Sequence, residues 1–176
     1  MGFIPFARCG FIFLFLLVLL TGCAAPPRGP IEPPAFPDAW MNSKWGDSIE
    51  EVKRAIEKDG SRMFEDATEK PPYAIYASGT FLEQPAILSY FFTPKSKKFY
   101  RVDVTYHNPG VYASVRGEMI QRFKSPTYSK KDVDHWSWKD DSLVIVQKAD
   151  SLVQVSYSSG AFSKLNHQEG NGLLGK

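Results

Sequence analysis

The side chains able to do chemistry are few in this chain. Asp132-Val133-Asp134-His135 places two carboxylates beside an imidazole, Asp140 and Asp141 follow across a short turn, and His107 stands apart. Histidine and carboxylate together could hold a divalent cation, and two carboxylates at a fixed separation could cleave a glycoside. Strand alternation along 133–139 argues against both, because it sends Asp134 and His135 to opposite faces. Acids beside a turn are ordinarily solvated. No H-E-x-x-H, G-x-S-x-G, G-x-G-x-x-G, P-loop or C-x-x-C pattern occurs. The expectation is therefore no enzyme, no cofactor and no bound metal.

Other candidates concern binding. Lys95, Lys97 and Lys98 share one turn and Lys130 and Lys131 another. They could touch anionic headgroups or glycan, but solvated lysines that guard sheet edges are the simpler reading. Aromatic residues concentrate at interface hot spots, which makes Trp45, Phe91 and Trp136 the candidate partner contacts. Against this, Trp136 and Trp138 fall on one face beside an aliphatic hairpin, which favours core packing, and Trp45 stands where it can cover the start of a helix. Phe91 and Phe92 put rings on both faces of a strand, so the second face is either covered or carries an exposed aromatic patch.

The elements that position these residues follow from two periodicities. Ser48 and Glu51 have capping-box spacing, Ile49, Val52 and Ile56 share a face, and Gly60 suits a C-terminal stop, which predicts a helix over about 48–59. Strands follow at Tyr73–Ala77, Ala86–Thr93 and Lys98–His107; in the last, Tyr100, Val102, Val104 and Tyr106 alternate with Arg101, Asp103 and Thr105. Asn108-Pro109 opens a second helix over about 109–124, with Tyr112, Val115, Met119 and Phe123 at helical spacing. Val133–Lys139, Leu143–Lys148 and Leu152–Tyr157 complete six strands. The fold class read from this is α+β: an antiparallel sheet of about six strands with two amphipathic helices on one face, in the order αβββαβββ, or else two small layered repeats side by side. The order suggests duplication of elements, although residue similarity between the halves is slight. From Ser158 onward glycines accompany few core formers, which predicts a frayed tail over 161–176.

The N-terminus supplies an address. Phe11 to Leu20 is unbroken apolar sequence, and at 1.5 Å per residue it covers only about 15 Å of a hydrocarbon core roughly 30 Å thick. With Arg8 before it and small residues after it, the run has the form of a secretory signal. Leu20-Thr21-Gly22-Cys23 resembles the lipobox of bacterial lipoprotein precursors. The resemblance implies cleavage between Gly22 and Cys23, a diacylglycerol thioether on Cys23 and an acyl group such as palmitate on its amine; an uncleaved anchor with an incidental cysteine is the other reading. Ala24, in place of Asp, implies sorting to the outer membrane, facing the periplasm, or in a single-membrane envelope the outer face of the cell membrane. Residues 24–38 carry six prolines, which favours polyproline II and a stand-off of up to about 45 Å. The expected organisation is a signal peptide at 1–22, a lipidated tether at 23–40, an α+β domain at 41–160 and the tail.

Gly46, Ser48, Glu50, Glu51 and Val52, with Phe123 to Pro126 at the end of the second helix, resemble the small envelope lipoproteins of the SmpA/OmlA type and the related folds of beta-lactamase-inhibitor protein. That resemblance implies a domain that binds other proteins and catalyses nothing. Charge agrees with a partner other than nucleic acid: 21 basic against 19 acidic residues give +2, no strong field of either sign. The cysteines are Cys9 and Cys23 alone, so stability rests on burial rather than disulfides. Function is expected to be that of a lipid-anchored accessory or binding protein of the envelope with a membrane contact and an unidentified protein partner. An enzyme acting on envelope glycan or lipid around Asp134, His135 and Asp141, or a small-ligand carrier with an apolar cavity, are the alternatives.

Overall fold

A computed structural model describes residues 34–174 of the chain. The signal segment 1–22, the Gly22–Cys23 junction and the tether as far as residue 33 lie outside the described residues. The element order is β1 (Ala39–Trp40), β2 (Ser43–Lys44), α1 (Ile49–Lys58), β3 (Arg62–Ala67), β4 (Ala74–Phe81), β5 (Gln84–Phe92) and β6 (Phe99–Tyr106). A 3-10 turn at Pro109–Val111 leads into α2 (Tyr112–Phe123), then β7 (Tyr128–Lys130), β8 (Val133–Ser137), β9 (Leu143–Lys148), β10 (Val153–Ser158) and α3 (Gly160–Leu174). The class is α+β, but the large antiparallel sheet has eight strands where about six were expected, and there are three α-helices among the described residues.

Local chemistry explains the elements. The Ser48 hydroxyl accepts from Glu51 N–H while the Glu51 carboxylate accepts from Ser48 N–H at 2.8 Å, the reciprocal cap that starts α1. Asn108 caps the 3-10 turn by accepting from Gly110 N–H. Its proline then suits the first turn. Val52 and Ile56 of α1 and Val115, Met119 and Phe123 of α2 are buried in one cluster with Leu88, Val104, Val146 and Val155 of the sheet. Each such side chain contributes about 1.5–3 kcal/mol by leaving water.

The sheet runs β3-β4-β5-β6-β10-β9-β8-β7. Each half is therefore a helix followed by a four-stranded meander, and the halves meet where β6 pairs with β10. The register Tyr106↔Val153, Val104↔Val155, Val102↔Tyr157 is symmetric about the Val104–Val155 pair. It superposes Val102-Asp103-Val104-Thr105-Tyr106 on Val153-Gln154-Val155-Ser156-Tyr157. Each half thus reads αββββ rather than αβββ, and three of the five residues aligned at the join are identical.

The two strands missing from the expectation form the sheet edges. In β3, residues 62–66 are all exposed and the register shifts between Met63 and Glu65. Without alternation the segment carries no strand signal, while its bulge and charges discourage further pairing. β7 is three exposed residues long. The tail also departs from expectation: instead of fraying, it forms α3. Gly160 N–H donates to Ser142 Oγ at 2.9 Å, and Glu169 accepts from Lys95 and Ser96 N–H at 2.8 and 3.1 Å. Gly46, at φ +88°, leaves space that the Phe162 ring fills. A Cβ there would strike that ring.

Candidate functional site: a slot that grips the incoming chain

The folded body begins before residue 41, the expected start of the domain. Proline fixes φ at 34 and 37, and Phe36, as the residue before a proline, is held in extended conformations. Such backbone makes no hydrogen bonds with itself, so its carbonyls are available. Trp138 Nε1–H donates to the Pro34 carbonyl at 2.6 Å, and Trp45 Nε1–H donates to the Pro37 carbonyl at 2.7 Å. Between these two clamps the Phe36 ring stacks on Trp45 with centroids 5.5 Å apart and meets Trp138 edge-on at 5.1 Å.

The slot is founded on the core. Trp45 also stacks on Phe99 at 4.9 Å and 14°, and Trp138 meets Phe123 of α2 edge-on at 5.4 Å. Gly46 N–H donates to the Phe99 carbonyl and Phe99 N–H to the Asp47 carbonyl, which fixes the Trp45 segment to the start of β6. Trp138 sits in the β8–β9 turn, closed by the Trp138 N–H to Ser142 carbonyl bond. A hollow of about 700 Å³ opens beside the slot, walled by Phe36, Trp45 and Trp138, with Asp38 and Asp140 among its polar lining residues. The Asp140 carboxyl is held below the usual carboxylate range by the hydroxyl and N–H of Ser142.

The three residues named from sequence as partner contacts meet different fates. Trp45 belongs to the slot. Phe91 is half-buried on the sheet face opposite the core, under the Arg101 guanidinium at 5.1 Å from its centroid. Trp136 is fully buried and donates to the Lys124 carbonyl at 3.0 Å, so it has no surface to offer. Sequence reasoning missed Phe36 and set Trp138 aside, with Trp136, as a core residue. Phe36, an isolated ring within a proline-rich run, was the available signal.

The polar residues weighed for catalysis are not brought together. Asp134, 1% exposed, lies on the core side of β8 and takes Arg116 Nε at 2.6 Å and Ser129 Oγ at 2.6 Å. Burial pushes its carboxyl up, but the bonds from Arg116 and Ser129 outweigh that and hold it below its ordinary value. His135 faces the other way, 5.2 Å from the Tyr128 ring, and Asp141 pairs with Lys164 at 2.8 Å on the surface. Among the described residues no cluster of His, Cys, Asp and Glu has the form of a metal site, and no helix is long and apolar enough to cross a membrane. No family model, no curated protein and no solved structure matches the chain.

Proposed function

We propose that this protein is a lipid-anchored component of the cell envelope, held through Cys23 at the outer membrane and facing the periplasm, that acts by binding another envelope protein. The observation that carries the proposal is the way the proline-rich segment ends: its last residues are gripped by two indole N–H groups and a stacked phenylalanine. The tether is joined to the domain by the chain itself, and a clamp of this kind sets the place and direction in which it leaves. The lipobox-like Leu20-Thr21-Gly22-Cys23 supplies the other end.

Binding rather than catalysis is supported by the scatter of Asp134, His135 and Asp141. A partner surface is supported by the sheet. The sheet face turned away from the buried cluster offers Tyr76, Ile87, Phe91, Ile145 and His135 at intermediate exposure. Such a mixed aromatic and polar surface suits a protein partner better than a lipid.

The test is cell fractionation joined to in-envelope crosslinking. The wild type is expected in the outer-membrane fraction with two or three acyl chains on Cys23 by intact mass, and crosslinked to one stoichiometric protein. Cys23→Ala is expected to leave that fraction. Retention of Cys23→Ala in the membrane would overturn the anchoring, and recovery of glycan or lipid alone would overturn the protein-binding role.

A further inference from the structure

We infer that the slot between Trp45 and Trp138 is a receptor for an extended peptide of the form Pro-x-aromatic-Pro, filled in this structure by the chain's own Pro34–Pro37 strap. The inference goes beyond the anchoring proposal and does not depend on Cys23.

The geometry is that of polyproline recognition. A polyproline II segment repeats every three residues and advances about 3.1 Å per residue, so carbonyls at i and i+3 point the same way roughly 9 Å apart. The two carbonyls gripped here belong to Pro34 and Pro37, three residues apart in the sequence, and both donors are indole N–H groups. Aromatic-lined grooves recognise proline-rich ligands because such ligands are already extended and lose little entropy on binding. The side chain between the clamps, Phe36, enters a pocket of two tryptophans and supplies specificity that a plain proline run lacks. The neighbouring hollow of about 700 Å³ leaves room for an incoming segment to begin pairing with Trp138 while the strap is still bound at Trp45. Among the described residues the strap forms no backbone ladder before β1, and its attachments include the two indole hydrogen bonds and the Phe36 ring.

The occupant is thus a partner protein's segment of the same chemistry as the strap. Its capture would release the strap and lift the constraint on the direction in which residues 34–38 leave the domain. The tethered strap competes at an effective concentration near the millimolar range, which keeps the slot closed to weak ligands.

The experiment is calorimetric titration of the full chain in detergent with the capped peptide Glu-Pro-Pro-Ala-Phe-Pro-Asp, the sequence of residues 32–38. Phe36→Ala, which empties the pocket, is expected to bind it saturably and at least tenfold more tightly than the wild type. The same peptide with alanine for phenylalanine is expected to show no binding. Adding Trp138→Phe, which keeps a ring and removes the N–H, is expected to weaken the complex severalfold. A folded Phe36→Ala that binds no better than the wild type, or a Trp138→Phe change without effect, would overturn the inference. If Phe36→Ala does not fold, Phe36→Leu, which keeps an apolar side chain but removes the ring stack, takes its place: saturable binding tighter than that of the wild type supports the inference, and binding no better than the wild type overturns it.

Discussion

Asp103 and Gln154 occupy equivalent places in the two halves of the sheet and hydrogen-bond each other across its middle, Gln154 Nε2 donating to Asp103 Oδ2 at 2.8 Å. They lie diagonally about the Val104–Val155 pair, on the face opposite the core. Asp103, only 5% exposed, also receives Arg101 through Nε at 2.7 Å. The equivalent of Arg101 in the second half is Leu152, so the Arg101–Asp103 pair has no counterpart at that place in the second half, and Gln154 is the neutral residue that completes it.

Gln154→Glu should therefore set two carboxylates against each other at the join of the halves. We expect a loss of about 1–2 kcal/mol at neutral pH, from the lost bond and the new repulsion. Gln154→Ala should lose only about 1 kcal/mol. Urea denaturation of both variants checks this; equal losses would mean that charge at this point does not matter.

Arg116 and Asp134 tie α2 to β8. Removing one partner of a fully buried pair costs roughly 3–5 kcal/mol. Arg116 has a side chain 37% exposed, so solvent screens part of the effect and about 2 kcal/mol is the expected loss for Arg116→Ala. The acid dependence has a definite sign. Because the folded carboxyl of Asp134 lies below its ordinary value of 3.8, the bond stabilises the fold above that pH and is lost as pH falls through and below it. The gap in stability between wild type and Arg116→Ala should narrow below about pH 4, as measured by denaturation at a series of pH values.

The parts of this fold legible in the sequence are those whose signal is local. Ser48 and Glu51 state the start of α1 within four residues, and Tyr100 to Tyr106 state β6 by alternation. What escaped depends on distant partners. Met63 and Phe64 lie on an exposed edge strand with a bulge, where no face is buried and no period arises. Residues 160–174 contain three glycines and two phenylalanine- or leucine-type anchors in their first turns, a weak helical signal. They are helical because Gly46, Ser142 and the 95–96 turn receive them. The echo of Val102–Tyr106 in Val153–Tyr157 was present all along, but three identities in five become meaningful only once the register aligns them. The slot was half legible: Trp45 could be named, but Trp138 meets Phe36 only through folding, across about a hundred residues of chain.

Gly160 opens α3 against the β8–β9 turn. A Cβ at this position would run into the carbonyl oxygen of Asp140 and the N–H of Ser142, both backbone and unable to rotate away. Gly160→Ala should cost about 1–3 kcal/mol through this overpacking and should lift the first turn of α3 from the sheet. Hydrogen exchange is expected to quicken at 160–165 and in the 138–142 turn while β6 and β10 stay protected. Unchanged exchange in α3 would show that the turn can shift to admit the methyl group.

Glu169 holds the other end of the same helix. Its carboxylate accepts two N–H groups of the β5–β6 turn, from Lys95 and Ser96. Burial pushes the carboxyl up, but the bonds from Ser96 and Lys95 outweigh it and the group ionises below its ordinary value of 4.5. The contribution is consequently present above that pH and lost as pH falls below it. Glu169→Gln keeps an acceptor oxygen but removes the charge that roughly doubles the strength of such bonds. A loss of about 1 kcal/mol is expected at pH 7 and little or none near pH 3. Denaturation at the two pH values distinguishes this from a packing defect, which would cost the same at both.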